Sequence, residues 1–110
     1  MFNVFARNKA YTDLASAEFE KELKNNREAV LLDVRTKGEY QSGKIPGAVN
    51  IDLMSPDFHS RVACLDKNKS YFVYCRSGNR SGQACSVLAS KGLRPNNLAG
   101  GINSWRGKLV

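Results

Sequence analysis

The chain has 110 residues, the length of one domain with a real core, and its apolar fraction of 42% and charged fraction of 25% exclude a disordered or low-complexity chain. No apolar run approaches the roughly 18 residues that span a bilayer, and three unpaired-looking cysteines with a single histidine, His59, exclude a disulfide framework and a zinc site. The net charge of +7 is scattered from Arg7 to Lys108 without a basic run or interleaved aromatics, so it reads as a solvated surface that suits small anions or an acidic partner, not as a nucleic-acid face.

The opening stretch MFNVFARNKAYTDL is broken by Asn3, Arg7, Asn8 and Lys9 and lacks the apolar centre of an export signal, so a cytoplasmic protein is expected. Residues 11–15 can form a first strand. Ser16 is a candidate N-cap for a helix in which Phe19 and Leu23 share a face. The run AVLLDV at 29–34 has the length and unbroken apolarity of a parallel strand covered on both sides. Thr36 can cap a helical turn over KGEYQ, and Gly43, Pro46 and Gly47 mark a turn before a short strand, AVNI. Pro56 precedes a helix with Phe58, Val62 and Leu65 on one face. Tyr71 to Tyr74 is a fourth strand, Ser81 to Lys91 a helix closed by Gly92, and residues 97–99 a fifth strand. Gly100-Gly101 then turns into a last helical turn carrying Trp105. Strands alternating with helices give an α/β domain built on a mostly parallel sheet, one domain over 1–110 with its core at about 11–107. Ligands of such sheets bind beyond the carboxyl ends of the strands, where Asp33, Arg35 and Cys75 all fall.

The chemistry concentrates at Cys75. A strand ends there, the polar loop Arg76-Ser77-Gly78-Asn79-Arg80 follows, and a helix begins at Ser81. The helix start presents unpaired N–H groups and the positive end of its dipole, and a curled loop aims further N–H groups at one spot. Two arginines add charge. Each feature favours thiolate over thiol, and the thiolate is the nucleophile. This cysteine is placed to attack something anionic.

Four motifs in order, LLDVRTKGEY at 31–40, SGKIPGAVNI at 42–51, VYCRSGNRS at 73–81 and LAGGINSW at 98–105, make the chain resemble a single-domain rhodanese of the thiosulfate sulfurtransferase family. The resemblance implies a rhodanese-like α/β fold, a five-stranded mostly parallel sheet with helices on both faces. It implies transfer of sulfane sulfur from thiosulfate or a related anionic donor to cyanide, a thiol or a protein acceptor through a persulfide on Cys75. No cofactor, metal, nucleic acid or membrane partner is implied. Lys44 stands where the family often has histidine. Two other readings share the fold. A cysteine phosphatase or arsenate reductase has a similar aspartate–arginine motif, but needs His-Cys, five residues and then Arg. Here Tyr74 precedes the cysteine and four residues separate it from Arg80, a loop sized for sulfur. A sulfur-relay or interaction module, with an accessible Cys75 and little turnover of free thiosulfate, is the alternative from another class.

The residues around Cys75 divide by role. Arg76, Ser77, Gly78, Asn79, Arg80 and Ser81 form the candidate donor-binding loop. Arg80 can turn toward the loop and bind the donor or face water; Arg76 can frame the rim or face water. Ser81 can donate to the sulfur or cap the helix, and Gly78 supplies a positive φ. Asp33 and Arg35 brace the site, with Arg35 and Glu39 four apart as a possible ion pair. Cys85 falls on an apolar helix face, Cys64 off one, where it is partly exposed, and His59 at the surface.

Overall fold

The computed structural model describes residues 10–110; the N-terminal stretch weighed above as an export signal lies mostly outside them. Five strands alternate with helices: β1 (Thr12–Leu14), α1 (Ser16–Asn25), β2 (Ala29–Asp33), α2 (Lys37–Ser42), β3 (Val49–Asn50), α3 (Phe58–Ala63), β4 (Ser70–Tyr74), α4 (Asn79–Ser90) and β5 (Pro95–Leu98). A 3-10 turn, Gly101–Ser104, follows, and Trp105 comes directly after it. The strands form one sheet in the order β1-β5-β4-β2-β3. Every pairing in it is parallel.

The sheet is covered on both faces because its central strands are apolar on both. Along β2 and β4, Leu31, Phe72 and Tyr74 point to one side and Leu32, Tyr71 and Val73 to the other. The first side packs with Phe19 of α1, Ile45, Ala48 and Leu98, with Tyr40 and Trp105 at its margin. The second packs with Phe58 and Val62 of α3, and with Ala84, Cys85 and Leu88 of α4. Phe19 is fully buried. It meets Phe72 edge-on at 5.4 Å and Trp105 edge-on at 6.2 Å. Helix α1 starts one residue earlier than its sequence suggests. Ala15 occupies the N-cap position with no side-chain cap, and Ser16, the expected cap, instead accepts a hydrogen bond from the Arg106 N–H at 3.1 Å. Burial against the C-terminal segment thus takes the hydroxyl that local capping would have used.

Topology fixes where a site can be. After β2 the chain runs outward to β3; after β4 it runs the opposite way to β5. The helices that follow these two strands cover opposite faces. The crevice beyond the adjacent ends of β2 and β4 is therefore the switch point at which parallel sheets bind ligands. Asp33 pairs with Tyr74 across that end.

A buried ion pair closes the end of β2. Asp33 and Arg35 are both buried. The carboxylate accepts from Arg35 Nε at 2.9 Å, from Arg35 Nη2 at 2.6 Å and from the Arg35 backbone N–H at 2.9 Å. Nη2 also donates to the Gly43 carbonyl at 2.7 Å, and the guanidinium lies 5.5 Å from the centre of the Tyr74 ring. Arg35 therefore does not pair with Glu39, contrary to the sequence expectation. A buried guanidinium requires a buried counter-charge, and Asp33 is two residues away and inside.

Removing one member leaves the other charged and unpaired in the interior. Asp33→Ala is expected to cost about 3–5 kcal/mol, read from the urea midpoint at constant slope. Phe19→Ala should cost about 3–5 kcal/mol through the cavity it opens on the opposite face. The Cys75 thiol of its folded fraction should keep the wild-type alkylation rate, since Phe19 belongs to the other core.

Candidate active site

Cys75 follows β4 directly, and Gly78, at φ 99°, starts α4. The helix begins at Asn79, two residues before the expected Ser81, so Arg80 and Ser81 both lie in its first turn. This winds the loop tightly around one atom. The Gly78 N–H donates to Cys75 Sγ at 3.1 Å and the Ser81 hydroxyl donates to it at 3.3 Å. Burial pushes the Cys75 thiol up, but the Ser81 hydroxyl and the backbone N–H groups of Ser81, Gly78 and Ser77 outweigh it, and the thiol lies below its ordinary value. Cys75 is only 1% exposed. The freely accessible cysteine of the relay reading is therefore not present; the donors that lower the pKa also enclose the sulfur.

What turns the N–H groups inward is a second loop. The Cys75 carbonyl accepts from Ile102 N–H at 2.9 Å and the Arg76 carbonyl from Asn103 N–H at 3.1 Å. With the Arg76 carbonyl held on the outside, the Ser77 N–H of the same peptide faces the sulfur. The approach is so close that a Cβ on Gly101 would sit 2.4 Å from the Arg76 carbonyl group and 2.6 Å from Ser77 N. At φ 63° glycine also meets the backbone requirement there. Asn97 supports the loop from β5, donating through Nδ2 to the Gly78 carbonyl at 3.3 Å and to Asp13 at 2.9 Å. Neither contact was read from the sequence. The signals were a Gly-Gly pair after a strand, taken only as a turn, and a polar residue on a strand that proves buried.

The two arginines behave differently. Arg76 is exposed, as are Ser77 and Asn79. Arg80 is half-buried and its terminal nitrogens grip the Glu39 carboxylate at 2.8 and 3.0 Å. Glu39 is itself fixed. It closes a capping box on α2, accepting from the Thr36 N–H and hydroxyl at 3.1 Å each, while Thr36 Oγ1 accepts from the Glu39 N–H at 3.2 Å. The Arg80 guanidinium is the main reason the Glu39 carboxyl is pulled down to about 2. Asp33 and Arg35 pair with each other at the end of β2, beside the end of β4. Of the other cysteines, Cys85 is buried in the core, which pushes its thiol up, and Cys64 is exposed at the end of α3. His59 is exposed. Lys44 sets its ammonium 4.7 Å from the centre of the Tyr40 ring.

The arrangement sets a thiol of lowered pKa at the centre of a ring of donors at a helix N-terminus. Such a ring stabilises negative charge on the sulfur and on small groups brought against it. Comparison with known proteins gives the family. A family model described as rhodanese-like domain matches residues 16–108. A sulfurtransferase of Allochromatium vinosum is 34% identical over 84% of this chain and 86% of its own length. The thiosulfate sulfurtransferase PspE of Escherichia coli is 38% identical over 64% of this chain and 68% of its own. The crystal structure of a rhodanese-related protein from Thermoplasma volcanium superposes with a TM-score of 0.80 at 30% identity, covering 91% of this chain and 98% of that one. Fold and sequence agree, and the chain belongs to the rhodanese-like domain family.

Proposed function

We propose that this protein is a thiosulfate sulfurtransferase in which Cys75 carries the transferred sulfur as a persulfide. The observation that carries the reading is the ring of donors on Cys75 Sγ, drawn from Ser77, Gly78 and Ser81. Relatives named sulfurtransferase and thiosulfate sulfurtransferase support it.

In the proposed reaction the Cys75 thiolate attacks the outer sulfur of thiosulfate. A new S–S bond forms to Sγ, the S–S bond of thiosulfate breaks, and its electron pair leaves on sulfite. Net charge is conserved, and no external oxidant or reductant is needed. The terminal persulfide sulfur takes over the negative charge of the thiolate at the same N–H groups, so stabilisation is kept across the step. Cyanide or a thiol then attacks the terminal sulfur; with cyanide, thiocyanate departs and the Cys75 thiolate is restored. Arg76, Ser77, Gly78, Asn79 and Ser81 form the donor-binding loop in this reading, Arg80 keeps its guanidinium on Glu39, and Asp33 and Arg35 hold the end of β2 beside it. Loop length supports sulfur over phosphate. With four residues between Cys75 and Arg80, the donors converge on a single atom and leave no ring wide enough for a tetrahedral phosphoryl group.

Cys75→Ser should abolish thiosulfate:cyanide activity with the fold retained, because a serine hydroxyl is neither ionised at neutral pH nor able to hold a persulfide. Intact-protein mass spectrometry after thiosulfate treatment should find one added sulfur on the wild type, removed by cyanide, and none on the variant. A folded Cys75→Ser protein with wild-type turnover would end this mechanism.

The lowered thiol also predicts a pH profile. Alkylation of Cys75, followed on a Cys64→Ser/Cys85→Ser background, should show its inflection below the free-thiol value of about 8.5. Ser81→Ala should move the inflection upward, since the largest single lowering contact is the Ser81 hydroxyl. The linked stability has a definite sign. A depressed folded-state pKa adds stability above the unfolded value, and that contribution disappears as pH falls through the folded one.

A further inference from the structure

The Arg80–Glu39 pair bears on which donor the site accepts, an inference that rests on the sulfur-transfer reading above. Sequence reasoning offers Arg80 either to the donor or to water. In the structure its two terminal nitrogens, the end-on fork that best matches an oxyanion, are occupied by Glu39 at 2.8 and 3.0 Å. Glu39 is not a loose surface carboxylate that an incoming anion displaces at little cost. Its Oε1 also accepts from the Thr36 N–H and hydroxyl. Its own N–H is held by Thr36 Oγ1. The carboxylate is thus built into the start of α2. The positive charge nearest the cradle on α4 is therefore already balanced by protein.

We propose that Glu39 is a specificity-determining positioning residue: by holding the fork of Arg80 it withholds that charge from the donor, leaves recognition to the neutral N–H groups of the loop, and so lowers the preference of the site for doubly charged donors over singly charged ones. Two donors that transfer the same kind of sulfur isolate this effect. Thiosulfate carries two charges and leaves as sulfite. Methanethiosulfonate carries one and leaves as methanesulfinate. In each the Cys75 thiolate bonds to the outer sulfur while that sulfur's bond to the sulfonyl sulfur breaks, so the two reactions differ in donor charge and one substituent, a methyl for an oxygen.

The measured quantity is the ratio of kcat/KM for thiosulfate to that for methanethiosulfonate, taken on one preparation so that the folded fraction cancels. Glu39→Gln keeps an Oε1 acceptor for Thr36 but removes the charge. It should raise the ratio about fivefold, the size expected on releasing a half-exposed ion pair, chiefly through KM for thiosulfate. Arg80→Gln, which strands the Glu39 charge beside the cradle, should lower the ratio. The double variant Glu39→Gln/Arg80→Gln removes a neutral pair and should keep the ratio within about twofold of wild type. A double variant that falls to the level of Arg80→Gln alone would mean that Arg80 itself binds the donor, and a Glu39→Gln ratio at or below wild type would mean that Glu39 withholds nothing; either overturns the proposal. Protection of Cys75 from iodoacetamide by sulfite against methanesulfinate reads the same order without turnover. If neither donor is turned over but protection follows that order, the sulfur-transfer reading fails and the role of Glu39 stands.

Discussion

The buried ion pair of Asp33 and Arg35 is the interaction on which the rest of the rim depends. Two charges inside an apolar sheet end are tolerated only when their hydrogen bonds are met, and here they are met from three directions. The carboxylate takes the Arg35 side chain and the Arg35 backbone N–H, while the guanidinium takes the Gly43 carbonyl beyond α2 and lies against Tyr74 at the end of β4. The Tyr74 hydroxyl accepts from the Ile45 N–H at 3.1 Å. Asn50 of β3 donates to the carbonyls of both Asp33 and Arg35 at 2.9 Å. The ends of three strands and both ends of α2 are thereby fixed relative to one another. With the start of α2 fixed, Thr36 and Glu39 have a set place opposite α4. The ion pair thus ties together the strand ends beside Cys75, and its own hydrogen bonds run to Asp33, Arg35 and Gly43.

At the sulfur, opposing effects of similar kind are decided by geometry. Enclosure of Cys75 disfavours the thiolate, and hydrogen bonding to it favours the thiolate. The same loop does both, because the N–H groups that donate are also the atoms that exclude water. Donors win here because they converge: the Ser81 hydroxyl contributes most, and the backbone N–H groups of Ser81, Gly78 and Ser77 add to it at no side-chain entropy cost. The guanidinium of Arg80, a stronger donor in isolation, is tied to Glu39. A cradle built on fixed dipoles in preference to free charge discriminates by shape and distance more than by net charge.

The fold was legible in the sequence wherever one physical signal dominated. The continuous apolar run of β2 suits a parallel strand covered on both faces, and β4 reads as a strand from the apolar run that ends at Cys75. Thr36 reads as the cap of α2, and the structure completes it as a reciprocal capping box with Glu39. Cys75 read as the centre of the site because strand, loop and helix succeed one another there. Errors arose where a tertiary contact outbid a local rule. The four-residue spacing of Arg35 and Glu39 suggested a pair, but burial bound Arg35 to Asp33 and turned Glu39 to a partner 41 residues away. Ser16 looked like a cap and became an acceptor for a residue 90 positions distant. The polar sequence before Ser81 suggests a loop, whereas Gly78, in a left-handed conformation, takes the N-cap position and the helix starts at Asn79. Such long-range partners leave no periodic trace in one sequence.

The close approach at Gly101 has a consequence for how this chemistry can be moved or varied. The loop from Cys75 to Arg80 looks like a self-contained cassette, yet its inward N–H groups depend on a turn some twenty-five residues downstream that receives its carbonyls. Grafting the six residues onto another strand–helix junction would transplant the nucleophile without its scaffold, and the peptide planes would be free to rotate their oxygens toward the sulfur. The portable unit is instead discontinuous, the loop together with the Gly100–Ser104 segment, and any design or library that varies one without the other samples a different electrostatic environment at the sulfur.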